Sequence, residues 1–363
     1  MVKHQRIQEA ITEGIRRGEF PPESRLPSER DLAERFGVSY LTARHAVAQM
    51  VEANLLERRA RSGTYVRPHS HRQLVTRTYY QICTAADHSL ARAFLRIGAR
   101  LIEARGGRQQ VVRLQESDER AALRALQSGD PALVMTEALD RNDPLVSAMQ
   151  RAEGRAVLVA NRMDDMGIPS VLADDTQALR LAITYLQEKG HRRIALLCDH
   201  PSHPVARVQI AAWRAWCSIS GRTREEPDEG IDHRLIAVRT ESFACLRTSA
   251  YDAVRAFLHS EQSDKVTALI CLVDEMVAPA LAACRDEARP VPDALSLISL
   301  GGDNALFTFS HPAVTSVDVD IEAHIEQALA LIDSAEQGRL GLDDRLRLIE
   351  PRLIERQSVL PVE

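Results

Sequence analysis

Between Leu26 and Val47 the chain reads LPSERDLAERFGVSYLTARHAV. Ser28, Arg30, Ser39, Thr42 and Arg44 set hydroxyl and guanidinium donors at short intervals along it. Such donors grip phosphate oxygens and base edges; without a nucleophile and base beside them they break no bonds. A second set of polar residues stands just past apolar runs: Asp87 and His88, Gln115 and Glu116, Asn161 and Arg162, Asp199 to Arg207, Asp274, and Asp303 with Asn304. In open α/β sheets these positions lie beyond the carboxyl ends of strands, where ligands bind.

The elements that position the first set can be read locally. Ile7, Ile11 and Ile15 recur at i+4 and give a first helix one apolar stripe. GEFPPESR then breaks the chain. A second helix starts at Ser28, whose hydroxyl caps the first turn while Asp31 at N3 reaches back. Gly37 supplies a left-handed terminus, and Ser39 caps a third helix. There Leu41, Val47, Met50 and Val51 are expected inward, with Tyr40, Thr42, Arg44, His45 and Gln49 outward. LLERRARSGTYVRP follows as a β-hairpin, with Leu55, Leu56, Tyr65 and Val66 flanking a basic tip from Arg58 to Gly63. Helices, tight turn, helix and basic hairpin describe a winged helix-turn-helix, whose third helix enters the major groove while the wing follows phosphates.

Residues 5–68 resemble the DNA-binding head of the GntR family, on LPSERDLAERFGVS (Leu26 to Ser39), Thr42-x-Arg44, and the wing Gly63-Thr64-Tyr65-Val66. The resemblance implies DNA contacts from Ser28, Arg30, Ser39, Thr42, Arg44 and Gly63. Tyr40 stands where the family commonly has arginine, which implies a different base preference there. Arg61 holds the wing position usually given to a first glycine, so the tip should differ in shape.

At 363 residues the chain is long enough for two or three domains. Its 45% hydrophobic and 27% charged residues are those of a globular protein. Net charge is −5. Residues 1–68 carry 12 Lys/Arg against 9 Asp/Glu and the remainder 34 against 42, so a basic head precedes an acidic body. That asymmetry suggests a polyanionic partner for the head alone. MVKHQRIQ lacks the apolar run of a signal peptide and no window is apolar enough to span a bilayer, so a cytoplasmic protein with no membrane association is expected. The six cysteines include no Cys-x-x-Cys pair and read as reduced, mostly buried thiols.

From Thr78 onward short apolar runs alternate with helical patterns. Strands are expected at 78–84, 110–114, 132–135, 156–160, 193–198, 235–239, 267–272 and 295–300, with helices at 89–105, 174–189, 204–219, 249–260, 274–287 and 321–337. This alternation means βαβ units and parallel sheets covered on both faces, divided between two subdomains. No dinucleotide, phosphate-loop, serine-hydrolase or zinc-peptidase signature occurs, so neither a cofactor nor a catalytic group is assigned. CDHPSHP (Cys198 to Pro204) gathers two histidines, but its prolines and the missing partner spacing favour a loop at a cleft mouth over a metal site.

The body resembles LacI-type regulators, which share the fold of periplasmic sugar-binding proteins. The resemblance rests on VLADDTQALRLAITYLQEK with GHRRIALL, VTALICLVDEMVAPALAAC, VPDALSLISLGGDN, HPAVTSVDVD and PRLIERQS, spread from about 75 to 358. Together with the head's resemblance and the polar, basic connector, it gives an α/β chain: a winged helix-turn-helix at 1–68, a linker at 69–77, and a two-lobed effector and dimerisation domain at 78–363. The first lobe is expected at about 78–173 and 321–338, the second at about 174–320 and 339–363. It also places Arg207 and Asp303 in an effector cleft with Asp87, His88 and Asp274 nearby, a guanidinium and carboxylates suited to a polyhydroxylated, sugar-like ligand. The family usually has Asn-Asp where this chain has Val273-Asp274, and the lost amide should weaken or redirect sugar binding.

Three function classes follow. One is a homodimeric repressor that binds a near-palindromic DNA operator and is gated by a small polar effector. The second is a DNA-binding regulator whose body only dimerises. The third, an enzyme with a nucleic-acid-targeting head, lacks a nucleophile–base constellation.

Overall fold

The computed structural model describes residues 3–16, 18–59, 62–68, 77–84, 89–114, 119–136, 139–202, 204–220, 232–238, 243–301 and 304–362. The chain divides into a unit of Met1–Thr78 with Arg105–Arg108 and a unit of Tyr79–Ala104 with Gln109–Glu363.

The head comprises α1 (Lys3–Arg16), α2 (Glu29–Phe36), α3 (Tyr40–Glu52), β1 (Leu56–Arg59) and β2 (Gly63–Val66). Ile7, Ile11 and Ile15 are fully buried with Leu32, Ala43, Ala46, Val47, Met50, Leu56 and Val66. The stripe that faces this core from α3 is therefore 43, 46, 47 and 50, a helical repeat built partly on alanines. Leu41, expected inward, lies on the opposite side and is 70% exposed. Gln49 is also less free than expected, because the Gln8 side-chain amide donates to its oxygen at 2.8 Å.

In the body the first lobe opens with β3 (Thr78–Thr84), α4 (Ser89–Ala104), β4 (Arg108–Leu114), α5 (Glu119–Gln127), β5 (Ala132–Met135), α6 (Pro144–Arg151), β6 (Ala156–Val159) and β7 (Ser170–Ala173). The second lobe follows as α7 (Asp175–Glu188), β8 (Ile194–Asp199), α8 (Pro204–Ser220), β9 (Leu235–Val238), α9 (Phe243–Leu258), β10 (Ala268–Cys271), α10 (Val277–Asp286), β11 (Ser296–Gly301), α11 (Asn304–Phe309) and β12 (Thr315–Asp318). The chain returns to the first lobe for α12 (Ile321–Glu336) and β13 (Leu346–Ile349), then ends on β14 (Arg352–Ile354) in the second.

The two six-stranded sheets run β13-β7-β6-β5-β3-β4 and β14-β12-β11-β10-β8-β9. Pairing is parallel from β3 through β5, β6 and β7 to β13, and from β9 through β8, β10 and β11 to β12; β14 pairs antiparallel at an edge. Each sheet has an apolar cluster on either face, which is why its central strands read as unbroken apolar runs.

Residues 346–349 pair with β7 in the register Leu346↔Ser170 to Ile349↔Ala173, so they belong to the first lobe, not the second. The helix expected at 274–287 begins as a 3-10 turn over Asp274–Met276, and the one expected at 249–260 starts earlier, at Phe243. No described helix is long and apolar enough to cross a membrane.

Candidate nucleic-acid interface and effector cleft

At the start of α2 the Ser28 hydroxyl accepts from Asp31 N–H at 3.2 Å, and the Asp31 carboxylate accepts from Ser28 N–H at 3.0 Å. The nearby Ser28 hydroxyl, and then the Ser28 backbone N–H, hold the Asp31 carboxyl below its usual range. Gly37 closes α2 with φ of 60°, a left-handed conformation that costs glycine nothing. Ser39 then caps α3: its Oγ accepts from Thr42 N–H at 3.2 Å and lies 2.8 Å from Thr42 Oγ1. Both caps are local consequences of hydroxyls placed before helical runs.

The wing is tied back to the helices. Leu26 N–H donates to Thr64 O at 2.9 Å and Val66 N–H to Ser24 O at 3.0 Å, so residues 24–26 run beside β2. Gly63 has φ of +123°, and a Cβ there would lie 2.9 Å from Arg25 Nε. Arg58 pairs with Glu29 at 2.6 Å and thereby joins the wing to the first turn of α2. Arg59 lies over the Tyr65 ring at 4.4 Å. Ser28, Arg30, Ser39, Tyr40, Arg44 and Gly63 are exposed and Thr42 half-buried; Arg61 lies outside the described residues. The head thus offers a hydroxyl-capped helix with Arg44 and His45 on its outer face, beside a basic hairpin.

In the body, Ser89 opens α4 in the first lobe and meets the second lobe after β10. Its N–H donates to the Glu275 carboxylate, and its hydroxyl donates to Asp274 Oδ2 at a long 3.4 Å. Asp274 is only 6% exposed, and Gly301 at the end of β11 leaves the room its carboxylate needs: a Cβ there would overlap Asp274 Oδ1. On the first-lobe side Asn161 donates to Thr136 O at 3.3 Å and Arg162 pairs with Asp164 at 2.7 Å. On the second-lobe side Cys198 precedes Asp199 and His200, and burial pushes its thiol up to about 12. Arg207 is exposed near the start of α8.

Of the expected cleft residues, then, Asp274 is buried against Ser89 and Arg207 stands at a helix start following β8. Asp87, His88 and Asp303 lie outside the described residues, as do Gln115, Glu116 and His203. Among the described residues no group of three His, Cys, Asp or Glu side chains is arranged to hold a metal ion. Sequence reasoning missed Ser89 and Glu275. The rule that ligands gather past strand ends reached His88 and Asp274, one residue short of each.

The profile of the gntR family of bacterial regulatory proteins matches residues 3–66, and that of the periplasmic binding protein-like domain matches residues 183–359. The arabinose metabolism transcriptional repressor of Geobacillus stearothermophilus is 23% identical over 369 residues, covering 98% of this chain and 97% of the relative. The mannosyl-D-glycerate transport/metabolism system repressor of Escherichia coli (strain K12) is 45% identical over 64 residues, which are 18% of this chain and 27% of the relative. The lac repressor dimer bound to operator and an anti-inducer shares the fold with a TM-score of 0.64 at 17% identity, over 82% of this chain and 99% of that structure.

Proposed function

We infer that this chain, a transcriptional regulator joining a gntR-type winged helix-turn-helix head to a LacI-like periplasmic-binding-protein body, is a sequence-specific repressor whose operator affinity is gated by a small polar ligand in the body's cleft. The observation that carries the DNA-binding part is the face of α3: Ser39 caps it, Arg44 and His45 project from it, and the wing flanks it. In this reading Ser28, Arg30, Ser39 and Thr42 hold phosphates, Tyr40 and Arg44 reach base edges, and Arg61 and Gly63 bring the wing against the backbone. A head this small makes few contacts, so the body dimerises it, and two third helices address half-sites roughly 34 Å apart on a near-palindrome.

The sugar-like class of effector is supported by the full-length similarity to an arabinose metabolism repressor. Arg207 and Asp303, with Asp87, His88 and Asp274, are proposed to hold it. Ligand shifts operator affinity only through a difference in affinity for two lobe arrangements; a coupling of about 1–3 kcal/mol changes DNA binding roughly 5–150-fold.

One observation favours a second reading, a regulator whose body needs no effector. The Ser89 contacts with Asp274 and Glu275 already bridge the two lobes, and valine replaces the usual amide at 273. Selection of bound DNA from a random pool tests the first part: enrichment of a near-palindrome is expected, and no enrichment overturns it. Thermal shift against pentoses, hexoses and nucleosides separates the two readings of the body. A shift abolished by Asp303→Ala supports gating, and no shift with any of them supports the second.

A further inference from the structure

The third helix carries a residue that hydrogen bonding cannot explain. Leu41 is the second residue of α3 and is 70% exposed, on the side opposite the buried Ala43, Ala46, Val47 and Met50. It shares its face with Arg44 and His45, one turn further along. An exposed leucine means little by itself; Phe309 and Leu342 in the body are exposed 85% and 77%. Position distinguishes Leu41. The first turn of a recognition helix is the part that meets base edges, and two polar groups of this turn are already engaged, since Ser39 Oγ and Thr42 Oγ1 lie 2.8 Å apart.

Set in the major groove, a leucine side chain faces donors, acceptors or the C5-methyl group of thymine. Against a polar edge it would remove water and return no hydrogen bond, which costs free energy. The methyl is the one group it complements. We propose that Leu41 contacts the C5-methyl of a thymine in each half-site and is a specificity-determining residue of the interface. This rests on the DNA-binding reading above.

Replacing thymine by deoxyuridine removes the methyl and leaves the pairing edge intact, so it isolates the contact. The full-length protein is first used to select an operator from a random pool. Each thymine of that operator is then replaced in turn, and affinity is measured by fluorescence anisotropy at fixed salt. At one position per half-site, loss of the methyl should weaken binding about fourfold, or roughly fifteenfold with both half-sites replaced, as expected for about one buried methyl group each. Leu41→Ala should bind the parent operator more weakly by a similar factor and be indifferent to deoxyuridine at that position. Leu41→Met, which keeps an apolar reach, should retain the dependence. An operator without thymine at a constant position, a wild type indifferent to every replacement, or an alanine variant as sensitive as wild type overturns the proposal while leaving DNA binding intact. Failure to enrich any sequence overturns the DNA-binding reading and this proposal together. Because Leu41 buries little in the free head, near-UV and far-UV circular dichroism of the variants should match wild type.

Discussion

At the scale of single residues, Arg44 is the clearest test of the interface. It projects from the outer face of α3 and has no packing role to confuse the result. Arg44→Ala should weaken operator binding by about 1–3 kcal/mol and flatten its salt dependence, with dimerisation unchanged; a gel shift at moderate salt that shows full binding counts against this docking. Ser28 tests the head's local order instead. Its hydroxyl satisfies one N–H at the start of α2, so Ser28→Ala should cost about 1 kcal/mol of head stability, read by thermal denaturation. These residues were legible because caps depend on chain neighbours: Ser28 with Asp31, Gly37, and Ser39 with Thr42 all declare themselves within four positions. Leu41 was not, because apolar character alone argued for burial. Only the packing of α3 shows that alanines 43 and 46 already fill the core-facing row.

At the scale of elements, α7 carries an electrostatic cost where the chain crosses from the first lobe to the second. Asp174 caps the helix, its carboxylate accepting from Gln177 N–H at 2.9 Å, and Asp175 follows as the first helical residue. Burial, with the neighbouring Asp174 charge adding to it, pushes the Asp175 carboxyl up to about 6. The folded-state value lies above the ordinary 3.8, so between these values the folded chain holds a proton that the unfolded chain releases. Stability therefore falls as pH rises through that window, and the loss is complete above about pH 6. Asp175→Asn should stabilise the body at pH 7.5 by on the order of 2 kcal/mol, raising its melting midpoint by several degrees, and should change little below pH 4. Equal midpoints at pH 7.5 would refute the assignment. The strands expected from apolar runs all lie in the sheets, because a parallel sheet covered on both faces needs unbroken apolar segments. Strands β7, β12, β13 and β14 were not expected, being only three or four residues each with serine, arginine or aspartate among them. The pairing of β13 with β7 joins residues about 175 positions apart, which no local pattern encodes.

At the scale of the whole molecule, the proposed gating requires two arrangements of the lobes that differ by a few kcal/mol; the contacts from Ser89 to Glu275 and Asp274 bridge the lobes in the arrangement seen and, under that proposal, help to set the difference. A hydrogen bond to a charged group is worth about 1.5–3 kcal/mol, and it forms only when the lobes are close. Glu275→Ala should therefore raise the population of the open arrangement about tenfold or more. Small-angle scattering should report a larger radius of gyration, and hydrogen exchange faster opening at the start of α4. Unchanged profiles would mean that other contacts hold the lobes together. The same variant discriminates between the two readings of the body. If ligand acts by favouring closure, weakening the bridge makes operator affinity more responsive to ligand, because more of the closing free energy then comes from the ligand itself. If the body only dimerises, Glu275→Ala alters the lobes and leaves DNA binding unmoved. Arg207→Ala completes the comparison. It should abolish any effector response while sparing both dimerisation and operator binding, and a retained response would place the ligand elsewhere than beside α8.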